Sequence, residues 1–511
     1  MLGVLLVAAA PAAVPTSSIL GVFDARKSAL AQLGQHEPQS IEMTGTLNGY
    51  ALDGTFHSWH DGESDRFVQE LGVRDEQTLR VGDREYAIDS SGDVRELRGL
   101  LSQRQKTEDF IDSGEFLNRP QYSTLIGPAA LPDGRAVVQV LVQPPGGEAE
   151  TVSLDARTSM IDRLSFADDD GTSTIDFYDY RAVHGALVAY KRVDSNGDHA
   201  YDVTETTTDV RVDKPIPATV FAVPASVQIQ TDRPITVPLA RRAGHYYAQV
   251  TIHGHDYQFL VDTGAQGVVI DSRVAAELVL MPAGRLEVSG ATRTGGLGIA
   301  PLGSIGIGSA RLPVRVVSVL DLNSATNGAF PIDGILGYPF FAESEVRIDP
   351  DRLTMTIGKP GSLPALGAKF DVDVDRQLAE ISGTIDGVTG RFVVDTGNST
   401  ELLVFQPFLR KHVGLISYAG HSQIPNFGIG GSMNAVGAIV NELDLGPFRF
   451  FNRNANMMLT SSGAFADKFD AGNIGMGTMQ NFISTFDLAN NALYFERGAG
   501  FDDGRYRPVT E

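Results

Sequence analysis

The chain of 511 residues has no cysteine and one tryptophan, and its 41 Lys and Arg are outnumbered by 63 Asp and Glu. Without cysteine there are no disulfides, zinc ribbons, iron–sulfur clusters or thiol nucleophiles. A formal net charge of −22 argues against an electrostatic grip on nucleic acid or on an anionic membrane surface. The apolar run at the start, Leu2 to Ala10, is too short to cross a hydrocarbon core, which takes about 20 apolar residues. It reads as the apolar region of a secretory signal, with small residues at the cleavage zone from Ala13 to Ser18. The first cationic side chain is only Arg26, so the start of the signal is atypical. Residues 1–18 are therefore expected to be signal-like, the mature protein periplasmic or secreted, with no transmembrane anchor and no lipid-anchoring cysteine.

What is present points to β-structure. The 55 glycines are about one residue in nine, above the roughly 7% of an average chain. The length exceeds what one core of about 250–300 residues accommodates, so several domains are expected. Ala136–Val142 is strand-like by its β-branched content, and 174–180 alternates as a half-buried strand does. Turn pairs such as Asp53-Gly54, Asp133-Gly134, Asp170-Gly171 and Asn196-Gly197 separate such runs. Helical spacing is expected over 23–33 and, from Leu97, Leu100, Leu101 and Phe110, over 95–116. Residues 19–212 thus read as an antiparallel β-sheet domain with one or two helices. A proline-rich crossing over 213–238, with Pro215, Pro217, Pro224, Pro234 and Pro238, reads as a linker.

The second half contains a repeat. Gln258 to Gly264 and Arg391 to Gly397 are each an apolar strand ending in Asp-Thr-Gly, and each follows a glycine turn, His253-Gly254 or Asp386-Gly387. Ile335-Leu336-Gly337 and Asn473-Ile474-Gly475 lie at matching distances downstream, and an aspartate, Asp349 or Asp487, follows twelve residues after each of those glycines. The expected architecture is a duplicated all-β lobe, 239–358 and 368–498, joined across 359–367 and followed by a tail over 499–511.

An aspartate closing a buried apolar strand is costly unless it is paired or hydrogen-bonded. Two such lobes related by an approximate two-fold would bring Asp262 and Asp395 together. Like charges at close range cannot both ionise, so the pair would hold one proton, an acid and a base at one spot. Thr263 and Thr396 can pin the loops through their hydroxyls, and Gly264 and Gly397 let the backbone turn and direct an N–H at the carboxylate. Such a dyad suits water attack on a peptide bond without a metal, a cofactor or a covalent intermediate.

On these motifs, residues from about 240 to 498 resemble the aspartic peptidases of the pepsin/retropepsin type, in the bacterial two-copy form. The resemblance implies two retropepsin-like β-barrel lobes forming a pseudo-dimer in a mainly β chain, and a peptide or protein substrate. It implies that Asp262 and Asp395 are catalytic, that Thr263 and Thr396 interlock the loops, and that the elements ending at Gly337 and Gly475 support them. Ile335-Leu336-Gly337 fits the hydrophobic-hydrophobic-Gly pattern of that support, whereas Asn473-Ile474-Gly475 fits it in part. After the second motif stands Asn398 where Ser, Thr or Ala is usual; the first has Ala265. Gly295 to Gly298 and Gly428 to Gly431 are candidate flaps or ordinary hairpin turns. The hairpin from Asp155 to Leu164 and the segment from Phe177 to Tyr180 resemble the periplasmic lipoprotein-carrier and lipoprotein-sorting fold. A non-catalytic peptide- or lipid-binding protein using the lobes as a scaffold is the alternative expectation. His57 and His60 lack a third ligand nearby, and Asp194 to Asp198 has its glycine in the wrong place for a calcium loop, so no metal site is expected.

Overall fold

The computed structural model describes residues 18–35, 38–62, 64–169, 171–290, 293–325, 332–415, 423–428, 431–460 and 462–501. The expected signal thus lies outside the described residues except for Ser18, as do Asp170 and residues 502–511 of the expected tail. Among the described residues no helix is long and apolar enough to cross a membrane.

The chain is mainly β. Its N-terminal part is one thirteen-stranded antiparallel sheet. From the edge strand Val94–Glu96 the order runs backward through the chain to Ser40–Gly49, steps to Val203–Val212, and runs backward again to Ser123–Ala130. The expected strands are there, as Ala136–Val142 and as part of Thr172–Val183. Two long helices, Ile19–Gln32 and Gly99–Asp112, close one face, with a one-turn helix at Glu115–Asn118. Ser18 Oγ caps the first by accepting from the Gly21 N–H at 3.1 Å. Val22, Phe23, Phe110 and Phe116 bury themselves against Val138, Val140, Val152 and Leu154. The second helix begins four residues later than its spacing predicts, because Arg95 and Glu96 complete the edge strand against Tyr86 and Ala87.

The two halves of the repeat fold alike. The first lobe's sheet has the order 245–252, 255–261, 334–336, 269–271, 310–320, 293–307, 283–289, with Ala240–Arg242 added at its edge. The second repeats it as 380–385, 388–394, 472–474, 402–405, 448–458, 431–445, 423–428. In both, the strand before Asp-Thr-Gly lies parallel to the short strand of the support element. Both preceding hairpins turn through two left-handed residues, His253 and Gly254 at φ of 50° and 85°, Asp386 and Gly387 at 46° and 83°. That is the turn these dipeptides favour.

A six-stranded sheet joins the lobes, two strands from the first, three from the second and one from the stretch before the first, with Glu345–Asp349 beside Phe482–Asp487 at its centre. Arg347 pairs with Thr485 in that register, and each lies two residues before the aspartate of its own copy. The pseudo-two-fold therefore passes between them, and both lobes share one core. The lobes face each other within a single chain.

The stretch expected as a linker is docked along much of its length. Phe221 packs with Leu79, Tyr86 and Ile88 of the N-terminal sheet, and Ile229 enters the core of the lobes. Ile235–Pro238 is an edge strand of the six-stranded sheet, a place that tolerates proline. Direct contacts add to this join: Tyr338 Oη donates to Asp93 at 2.9 Å, the Arg98 N–H donates to Asp375 at 2.7 Å, and Arg376 pairs with Asp169 at 2.9 Å.

Two predictions follow from packing and burial. Phe486 of the second lobe meets Phe341 of the first edge-on, ring centroids 5.3 Å apart, and is fully buried. Phe486→Ala should cost about 3–5 kcal/mol and Phe486→Leu less, read as urea midpoints at constant slope. Glu150 is fully buried with neither carboxyl oxygen hydrogen-bonded, and burial, then the charge of Glu108, pushes it up to about 9. Desolvation likewise raises Glu108 to about 7. These folded-state values lie above the unfolded ones, so their stabilisation is complete below about pH 4 and is lost as pH rises from there to about 7 for Glu108 and about 9 for Glu150. The urea midpoint should fall over that window, and Glu150→Gln should flatten the fall at its alkaline end.

Candidate functional site

The site forms where the two copies of Asp-Thr-Gly meet. Phe259 to Val261 and Phe392 to Val394 are buried on both sides, so each strand delivers its aspartate to the molecular centre. The Asp262 N–H donates to Leu336 O at 3.0 Å and the Asp395 N–H to Ile474 O at 2.9 Å, continuing the parallel pairing into the support elements. Beyond these, the Tyr338 N–H donates to Ala265 O and the Met476 N–H to Asn398 O, each at 2.7 Å. A side chain at Gly337 would strike the carbonyls of Ala265 and Gly267, and one at Gly475 would strike Thr400 O and the Asn398 side chain.

The threonines cross between the lobes. Thr263 Oγ1 donates to Val394 O at 2.6 Å and accepts from the Thr396 N–H at 3.0 Å. Thr396 Oγ1 donates to Val261 O at 2.8 Å and accepts from the Thr263 N–H at 3.0 Å. Each aspartate accepts through Oδ1 from the N–H of its own glycine, Gly264 or Gly397, at 2.8 Å. Neither glycine takes a left-handed φ; their need for no side chain is spatial. A methyl group on Gly264 would run into the Asp395 carboxyl, and one on Gly397 into the Asp262 carboxyl. Each carboxyl thus lies over the other loop's glycine, and the two face each other.

Burial holds Asp262 well above the usual carboxylate range, the charge of Asp395 adds to this, and the Gly264 N–H opposes it. Nearby, burial pushes the His245 imidazole below its ordinary value, against the pull of Asp395.

The two departures from the repeat turn out to be neighbours. Asn473 Nδ2 donates to Asp395 Oδ2 at 2.6 Å, and Asn398 Nδ2 donates to Asn473 Oδ1 at 2.9 Å. Sequence reading marked each as an imperfect match; that both depart in the same copy was the available signal of a contact. The candidate flaps fare differently. Gly295 to Gly298 lies inside the strand Arg293–Ile307 rather than at the hairpin turn, and residues 291–292 at that turn lie outside the described residues. Gly428 pairs with Gly431 at the end of the second hairpin, whose Ile429 and Gly430 also lie outside them. Sequence reading also missed the link from Gln266, just past the first motif, to Arg376 O at 2.7 Å, since nothing local announces it. Among the described residues no group of three or more His, Asp or Glu is placed to hold a metal.

Residues 248–340 match the aspartyl protease family model. The match spans the first Asp-Thr-Gly and its support element, within a fold that the aspartyl-protease-like lobes repeat. No curated protein matches the chain. Among solved structures, an aspartic proteinase from Irpex lacteus aligns at 13% identity over 52% of this chain and 98% of its own, with a TM-score of 0.35. A LolA superfamily protein from Nitrosomonas europaea aligns at 12% identity over 39% of this chain and 97% of its own, TM-score 0.28. A DUF1329 family protein from Desulfovibrio piger aligns at 12% identity over 40% and 97%, TM-score 0.28.

The crossed threonines of the aspartyl-protease-like lobes give a direct test. Thr263→Val leaves Val394 O and the Thr396 N–H bare in a buried place, at about 1–3 kcal/mol for each. Thr263→Ser keeps the hydroxyl and should cost far less. Urea unfolding of the two variants checks the difference; a larger cost for Ser than for Val would mean that the methyl, not the hydroxyl, holds the loops.

Proposed function

We propose that this chain is an exported aspartic endopeptidase that hydrolyses peptide bonds with water activated between Asp262 and Asp395. The observation that carries the reading is the placing of each carboxyl over the glycine of the opposite loop. Two carboxyls so placed share one proton. The ionised carboxylate takes a proton from the bound water as the water oxygen attacks the scissile carbonyl carbon. The protonated carboxyl gives its proton to the carbonyl oxygen, leaving a tetrahedral diol. As the diol collapses and the C–N bond breaks, the newly protonated carboxyl gives its proton to the departing amine nitrogen and the other carboxylate takes one from a diol hydroxyl, which restores the shared-proton state. Thr263, Thr396, Gly264, Gly397, Gly337 and Gly475 serve by holding the geometry. The substrate is a peptide or protein, and export rests on the signal-like residues 1–18.

Asp262→Asn and Asp395→Asn should each abolish nearly all turnover of a peptide library while leaving the urea midpoint close to that of the parent. Activity should be bell-shaped in pH, failing on the alkaline side as the dyad loses its shared proton. Mixing the two variants should restore nothing, because each site lies within one chain. A statine-type inhibitor should bind the parent and block turnover; tight binding without any turnover would instead identify a peptide-binding scaffold.

A further inference from the structure

The two carboxyls occupy matching places but different surroundings. In the first lobe the position two residues before the support glycine is Ile335, and the position after Asp-Thr-Gly is Ala265. Neither side chain can donate a hydrogen bond. In the second lobe both positions are asparagine, Asn473 and Asn398. They form a line from the surface of the loop to the carboxyl, and its direction is fixed from one end. The Thr400 backbone N–H donates to Asn398 Oδ1 at 2.9 Å, and the Thr400 hydroxyl does so at 2.8 Å. A backbone N–H can only donate, so the Asn398 oxygen must face Thr400 and its NH₂ must face away. That NH₂ meets Asn473 Oδ1, which turns the NH₂ of the buried Asn473 onto Asp395 Oδ2. With the Gly397 N–H on Oδ1, both oxygens of Asp395 receive a donor. A proton on Oδ2 would point at the amide hydrogens of Asn473.

We infer that Asn473, oriented by Asn398 and Thr400, is a positioning residue that keeps the shared proton on Asp262 and reserves Asp395 as the base that takes the proton from water. The inference rests on the proposed peptidase reading and adds the assignment of roles within the dyad. Asp262 and His245 both interact with Asp395, and burial favours the neutral form of that imidazole. The raised affinity of Asp262 for a proton agrees with the assignment. The doubling of the repeat thus did not yield two equal half-sites. It yielded one half that holds the proton and one built to refuse it.

Asn473→Ile, which installs the first lobe's residue, removes the donor from Asp395. The acidic limb of the kcat/KM profile, where the dyad takes a second proton, should then move up by about one to two pH units, the scale of one hydrogen bond to a charged group. Asn398→Ala leaves Asn473 in place but frees its amide to turn, and should move the limb the same way by less. It decides the question if Asn473→Ile fails to fold. A second readout does not need turnover: the pH at which the dyad takes its second proton, followed through the carboxyl stretch of isotope-labelled aspartate with the Asp262→Asn/Asp395→Asn double variant subtracted. An acidic limb and a protonation midpoint that stay put in both variants would overturn the inference while leaving the peptidase reading intact. A parent protein without turnover would overturn that reading, and the infrared midpoint would still decide the role of Asn473.

Discussion

The crossing of Thr263 and Thr396 is the interaction on which the rest of the centre depends. Each hydroxyl donates to the carbonyl that precedes the opposite aspartate and accepts from the N–H of the opposite threonine. The crossing satisfies two buried carbonyls and two buried N–H groups at once, which ties the two loops to this relative position. That position sets each carboxyl on the other loop's glycine. The close approach of two acids, unfavourable by itself, is imposed by neutral hydrogen bonds that do not change with pH.

The same logic of imposed burial recurs further out. Arg376, itself half-buried, gathers Glu380, Asp467, Asp470 and Asp169, three of them from the second lobe and one from the N-terminal part. Arg376 follows Asp375, which receives the Arg98 N–H, and its own carbonyl receives the Gln266 amide from the loop of the first motif. The N-terminal sheet is therefore wired to the loop of the first Asp-Thr-Gly through one short segment rather than resting beside it. Alanine-like simplification of that segment would disturb three units at once.

Much of this was legible in the residues. Two Asp-Thr-Gly motifs at matching places in a repeat announced the lobes, the dyad and the threonine crossing, because strand end, turn and motif are all local patterns. His253-Gly254 and Asp386-Gly387 announced their turns for the same reason. What was not legible is set by distant contacts. The helix expected from residue 95 begins at Gly99 because Arg95 and Glu96 find strand partners in Tyr86 and Ala87. The prolines of 213–238 read as an extended linker, and that Phe221 and Ile229 reach cores on either side of it is not written in them. Gly264 and Gly397 looked like residues chosen for a turn, and the actual demand is the carboxyl that the other lobe brings over them. Asn398 and Asn473, 75 residues apart, read as two blemishes until the fold sets them side by side.

The register of the six-stranded sheet has an evolutionary corollary. Arg347 and Thr485 sit opposite each other at equivalent places in the two copies, on the axis that exchanges the lobes. A strand that pairs in antiparallel fashion with its own counterpart is what a single-lobe ancestor would use to assemble with a second identical chain. Once the copies were fused, the two strands no longer had to be alike, and the centre no longer had to be symmetric. Two copies within one chain need not be alike, so neither half is held to the symmetry that two identical chains would impose. Fusion also left each lobe with a bare strand edge whenever the other is absent, which ties the survival of either half to the presence of its twin.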